Sequence, residues 1–97
     1  MASDVYLLIF DPRIGAMVRE RWLGMGRIRD KACEVLGNAT TSIGNGLECW
    51  ADVTPEDMIT IAEVSHMYRD GASPSEIRQY VTDFPSPLYL WILVRDF

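Results

Sequence analysis

The chain is poor in residues that bind metals, with only two cysteines, Cys33 and Cys49, and one histidine, His66, among its 97 residues. These three residues fall in separate segments and lack the close pairing of zinc ligands. Two thiols without a recognisable export signal indicate reduced side chains rather than a disulfide. We therefore expect neither a metal nor another cofactor.

Long apolar runs are also missing. The longest, Leu88 to Val94, has seven residues and is far too short to span a bilayer. The segment Met1 to Asp4 has no basic region of the kind that opens a signal peptide. The sequence therefore predicts a cytoplasmic protein with no membrane partner.

Motifs of known catalytic chemistry are absent as well, since the sequence contains neither a glycine-rich phosphate loop nor a GxSxG nucleophile elbow. Asp11, Asp52 and Asp57 lie near the ends of predicted elements, where capping and turn formation account for a carboxylate. We expect a protein that is not an enzyme. A small enzyme whose site is unreadable from the sequence remains the alternative.

Basic residues are scarce in the second half of the chain. The net charge is −5, and from Val53 onward three arginines face seven acidic residues, a balance of −4. Binding to DNA requires Lys and Arg that neutralise phosphates, so this balance disfavours nucleic acid as a partner. An acidic surface instead favours a basic protein, including the basic clefts of proteins that handle nucleic acids.

The composition is that of one globular domain over residues 1–97, with 48% hydrophobic and 24% charged residues. Val5 to Phe10 predicts a buried strand that ends at Asp11-Pro12. The three-and-four apolar spacing over residues 13–36 predicts a long helix, or two short helices joined at residues 24–26. Asn45-Gly46 predicts a hairpin, which we expect to pair with the first strand.

Two further helices are predicted by their start signals. Thr54-Pro55 opens a helix that we expect to reach Asp70, and Ser73-Pro74, with Glu76 as a capping-box residue, opens another that ends before Pro85. The final apolar run, Leu88 to Val94, suits either a strand buried on both faces or a third helix. We favour the strand, and thus an α+β fold with a small antiparallel sheet packed by about three helices. The alternative is a mainly α fold with a C-terminal tri-helical unit.

Residues 61–93 resemble a homeodomain-like helix-turn-helix, as found in resolvases, transposases and small terminase subunits. The resemblance is carried by the apolar positions Ile61, Ala62 and Tyr68, the Gly71 turn, and the start at Ser73 and Glu76-Ile77. It implies a DNA-binding regulator whose third helix would lie over the final apolar run. In that run, leucines and a valine stand where the family presents polar and basic side chains to base edges.

Three surfaces are candidates for binding. An acidic surface would face a basic partner and comprises Glu56, Asp57, Glu63, Asp70, Glu76 and Asp83. A basic patch on the first helix comprises Arg19, Arg21, Arg27, Arg29 and Lys31. An apolar interface for a homodimer or hetero-complex comprises Leu88, Leu90, Trp91, Leu93 and Val94. The function we expect is that of a small regulator, inhibitor or adaptor acting by protein contact.

Overall fold

The chain forms five strands and three helices in a computed structural model that describes residues 4–50 and 53–96. The strands are β1 (Val5–Asp11), β2 (Ala16–Gly24), β3 (Thr40–Gly44), β4 (Leu47–Trp50) and β5 (Leu90–Asp96). The helices are α1 (Gly26–Leu36), α2 (Pro55–Ser65) and α3 (Pro74–Asp83). The predicted α+β class is confirmed, and the mainly α alternative is not observed.

All strand pairs in the sheet are antiparallel, in the order β2-β1-β5-β4-β3. The final apolar run therefore enters the sheet as a central strand between β1 and β4, as the favoured interpretation required. It also separates the hairpin from β1. The expected pairing of the hairpin with the first strand is wrong, because β4 pairs with β5 instead.

The predicted long first helix is half wrong. Residues 16–24 form the edge strand β2, and the helix begins only at Gly26. Gly24 explains the change, since its φ of 141° suits glycine, and a Cβ there would lie 2.7 Å from Ile28 Cγ1. The joint anticipated at residues 24–26 thus exists, but it joins a strand to a helix.

The β3–β4 hairpin follows its turn signal. Asn45 and Gly46 have φ values of 55° and 76°, as a type I′ turn requires, and Asn tolerates this left-handed conformation better than most residues. This prediction is confirmed.

The two later helices begin where their capping residues predicted. Thr54 accepts a hydrogen bond from the backbone N–H of Asp57, whose carboxylate accepts from the Thr54 N–H, so α2 has a complete capping box. Ser73 caps α3 through the N–H of Glu76, but the expected capping box is incomplete, because the Glu76 carboxylate accepts from Arg21 instead. The expected extension of α2 to Asp70 is wrong, since the helix ends at Ser65 and residues 66–70 form turns.

The core lies between the helices and one face of the sheet, with α2 in contact with both α1 and α3. Val5, Leu7 and Ile9 of β1 meet Leu93 of β5 there, all of them fully buried. The helices contribute Ile28, Ala32, Met58, Ile61, Ala62 and Ile77. In the described part of the chain, no helix is long and apolar enough to cross a membrane. Residues 1–3, on which the expectation of no export signal partly rests, lie outside that part, as does Asp52.

Candidate interaction surfaces

The predicted acidic surface is spread over α2, the following turn and α3. Glu56, Glu63, Asp70 and Asp83 are exposed, whereas Asp57 is half-buried in the capping box of α2. Within residues 4–50 and 53–96, no ion pair joins any of these five carboxylates to a base. Helix α2 itself has three acidic residues and no basic one, so its negative charge is uncompensated locally.

Glu76, the sixth predicted acidic residue, has a structural partner instead. Arg21 on β2 holds its carboxylate at two points, with Nε 2.5 Å from Oε2 and Nη2 3.0 Å from Oε1. Arg21 also donates through Nη1 to the backbone oxygen of Asp70 at 2.6 Å, and the Tyr80 hydroxyl donates to Glu76. This network fastens the edge strand to α3 and to the turn before it.

This network changes the pKa values of Glu76 and Tyr80. The hydrogen bonds from Arg21 lower the pKa of Glu76 below its usual value, so the carboxylate stays ionised. Burial, together with the hydrogen bond to Glu76, raises the pKa of Tyr80 to about 12. Glu76 and Arg21 are thus removed from the acidic and basic surfaces to which the sequence assigned them.

The predicted basic patch is not continuous, because its residues lie on two different elements. Arg19 and Arg21 belong to β2, and the guanidinium of Arg19 lies over the Tyr80 and Phe84 rings at 5.4 and 5.7 Å. On α1, Arg29 pairs with Asp30 and Lys31 with Glu34. Arg27, the remaining predicted residue, lines a groove of about 350 Å³ whose other walls are Asp30, Lys31, Glu34, Val64 and Met67. Its walls carry both signs of charge.

Most of the predicted apolar interface is already used within the chain. Trp91 and Leu93 are in the core, at 7% and 0% exposure, and Trp91 Nε1 donates to the backbone oxygen of Phe84 at 3.0 Å. Val94 is 2% exposed. Only Leu88 and Leu90, at 54% and 47%, remain open to a partner.

A different apolar surface was missed by sequence reasoning. The three helices pack against one face of the sheet, and the central strands turn apolar side chains to the other face as well. We call this second surface the outer face and define it by the alternate residues of β1 and β5, namely Tyr6, Leu8, Phe10, Leu90, Ile92 and Val94. Val94 is itself buried on this face, and the exposed Glu20 of β2 lies beside Leu8. The unbroken apolar runs of both strands were the signal that could have found it.

Two other carboxylates with a lowered pKa, Asp11 and Glu48, belong to separate structural pairs. Hydrogen bonds from Arg13 lower the pKa of Asp11, and those from Thr40 and Arg95 lower the pKa of Glu48. Cys33 and Cys49 are free thiols on α1 and β4, half-buried. The described ranges bring together no group of three His, Cys, Asp or Glu side chains able to hold a metal ion.

Comparisons with protein-family models, with curated proteins and with solved structures give no match for this chain. Its function is therefore inferred from its surfaces.

Proposed function

We propose that the protein is a non-catalytic regulator, inhibitor or adaptor that acts by contact with a basic protein, and that it binds this partner through α2. The observation that carries the proposal is the unpaired acidity of this helix. Glu56 and Glu63 are exposed and seven residues apart, so they lie on one side of the helix two turns apart. We call this pair, with the neighbouring Asp57, the acidic ridge.

The ridge is built to be rigid. Its first turn is fixed by the capping box, and the opposite side of α2 is anchored in the core by Met58, Ile61 and Ala62. Ser65, fully buried at the last turn, donates to the backbone oxygen of Leu23 at 2.7 Å and ties the helix to β2. Carboxylates held on such a support lose little freedom when a partner binds.

The state of the ionisable groups supports a non-catalytic role. Functional sites commonly hold titratable groups whose pKa is moved toward the working pH. Asp11, Glu48 and Glu76 have pKa values moved the other way, each by hydrogen bonds from an arginine or a threonine. They lie in three separate pairs that fasten neighbouring parts of the chain. Such carboxylates are stable acceptors rather than proton donors or general bases.

Charge complementarity mainly accelerates association and selects the partner, and it is sensitive to salt. A basic cleft of a protein that handles nucleic acids is the kind of surface that the ridge fits. DNA itself is disfavoured by the same charge, and β5 stands where the helix-turn-helix resemblance would place a recognition helix.

The test is affinity capture from a lysate with two charge-matched variants. Glu56→Lys/Glu63→Lys reverses the ridge, and Asp30→Lys/Glu34→Lys makes the same charge change on α1. We expect a protein captured by the wild type to be retained by the α1 variant and lost by the ridge variant, with both variants folded by circular dichroism. Equal capture by all three proteins would contradict the proposal, as would capture that does not weaken with added salt.

A further inference from the structure

Two adjoining cavities lie where α1 meets the end of α2 and the turn that follows it. The larger is the groove of about 350 Å³ that includes Arg27, Val64 and Met67 in its walls. The smaller, of about 180 Å³, is lined by Arg27, Met67 and Tyr68. Because Arg27 and Met67 line both cavities, the two form one continuous depression, which we call the seam cleft. Its larger part alone falls within the range of about 300–1,000 Å³ that is usual for small-molecule sites.

The smaller cavity is lined by two hydrogen-bond donors and by no carboxylate. Within residues 4–50 and 53–96, the guanidinium of Arg27 takes part in no hydrogen bond or ion pair. The Tyr68 hydroxyl accepts from the Arg27 backbone N–H at 3.3 Å, and in the same residues its own proton is donated to no acceptor. A planar guanidinium matches a carboxylate at two points, and a hydroxyl adds a third donor. The smaller cavity therefore suits a carboxylate.

The larger cavity has an apolar wall. Val64 is half-buried and packs against the core, whereas Met67, in the turn after α2, is 63% exposed. The side chain of methionine is flexible and polarizable, so it adapts to an apolar ligand of irregular shape. Lys31 lines the same cavity and adds its methylene stem, since a lysine can lay its hydrocarbon part along an apolar surface while its ammonium group stays in water. This part of the cleft suits a hydrocarbon chain.

The charges along the cleft leave one cation without a partner. The charged residues that line the larger cavity are Arg27, Asp30, Lys31 and Glu34. Lys31 pairs with Glu34 at 3.5 Å. Asp30 pairs with Arg29 at 3.1 Å. Of the four lining residues, Arg27 alone has no ion pair in the described ranges. Glu34 lies two helical turns away, about 10 Å along α1, so an anion bound at Arg27 stays clear of that carboxylate.

We propose that the seam cleft binds an aliphatic carboxylate of the fatty-acid type. The carboxylate would lie in the smaller cavity, against the Arg27 guanidinium and the Tyr68 hydroxyl, and the hydrocarbon chain would follow Val64 and Met67 through the larger one. A single negative charge on the ligand matches the single cation that has no partner, and the chain covers apolar surface that is exposed to water. The site is distinct from the acidic ridge, whose residues do not line the cleft.

The site is tested by titrating the purified chain with decanoate, below its micelle concentration, while the methionine methyl signals are followed by NMR. We expect the Met67 signal to shift and that of Met17, which is 51% exposed on β2, to stay in place as an internal control. Decyltrimethylammonium has the same chain with the opposite charge and should bind about tenfold more weakly or less, since it forms no charge-assisted hydrogen bond with Arg27. From hexanoate to decanoate, each added methylene should raise the affinity by up to about fourfold.

Two charge-matched variants separate the head group from the chain. Arg27→Gln should weaken decanoate binding about tenfold and leave binding of decanol, which has an uncharged head, unchanged. Arg78→Gln removes the same charge from α3 and should change neither. Both arginines are exposed, so the circular dichroism spectra should match the wild type.

A Met67 signal that stays fixed throughout the decanoate titration would overturn the proposal. Equal affinities for decanoate and decyltrimethylammonium would overturn it too, as would decanoate binding that is unchanged in Arg27→Gln. None of these results depends on capture of a protein through the acidic ridge, so the two proposals fail separately.

Discussion

Replacement of Arg21 by alanine should destabilise the fold by about 2–3 kcal/mol. The change removes two charge-assisted hydrogen bonds to Glu76 and one to the Asp70 oxygen. A hydrogen bond to a charged group contributes about 1.5–3 kcal/mol, and loss of one partner from a fully buried pair costs about 3–5 kcal/mol. The side chains of Arg21 and Glu76 are 26% and 30% exposed, so water offsets part of the loss. The total therefore falls below the fully buried range.

Urea unfolding followed by tryptophan fluorescence measures this difference, and for a domain of this size it corresponds to a fall in Tm of about 10–20 °C. Arg21→Lys keeps the charge without the planar fork and should recover only part of the stability. Since the pKa of Glu76 is lowered in the folded state from its usual 4.5, the contribution is present above that pH and disappears as the pH falls through the folded value. A loss below about 0.5 kcal/mol at neutral pH, as for exposed pairs, would refute the reasoning.

The packing and the hydrogen bonds give predictions for substitutions at Gly71, Ser65 and Thr54 and for the ionisation of Tyr80. Gly71→Ala should destabilise the fold by about 3 kcal/mol or more in the same urea assay, because a Cβ there would lie 1.9 Å from the Ser65 backbone oxygen. Gly26→Ala is the control and should be neutral, because a Cβ at that position has nothing within 4 Å. Ser65→Ala leaves the buried Leu23 oxygen without its donor and should cost about 1–3 kcal/mol by calorimetry. Thr54→Ala should cost about 1 kcal/mol in thermal unfolding, through loss of the α2 cap. Tyr80 should ionise near pH 12 rather than 10.0 in a tyrosinate absorbance titration, and stability should fall over that interval because the unfolded chain releases the proton first.

The elements that the sequence predicted best are those set by local chemistry. The caps at Thr54 and Ser73 and the turn at Asn45-Gly46 each depend on a few adjacent residues, and all three lie where they were expected. Strand order was not readable, because the place of β5 between β1 and β4 depends on pairing across the whole chain.

The misreading of β2 has a specific physical cause. A register shift between Ile9 and Phe10 interrupts the alternation of the strand, so Met17 and Val18, adjacent in sequence, imitate helical spacing. The predicted acidic and basic surfaces were also partly wrong. Arg21 and Glu76 are far apart in the sequence, and only the fold shows that they neutralise each other. The position of Glu56 and Glu63 on one side of α2 was predictable, because a helix fixes which of its residues share a side.

The most direct test of the account is the rate at which the captured partner associates with the chain as salt is varied. Contact through the acidic ridge predicts that Glu56→Lys/Glu63→Lys slows association severalfold at low salt, and that the difference from the wild type narrows as salt rises. Asp30→Lys/Glu34→Lys should have a much smaller effect. Association rates that are equal for the wild type and the ridge variant at all salt concentrations would contradict the account.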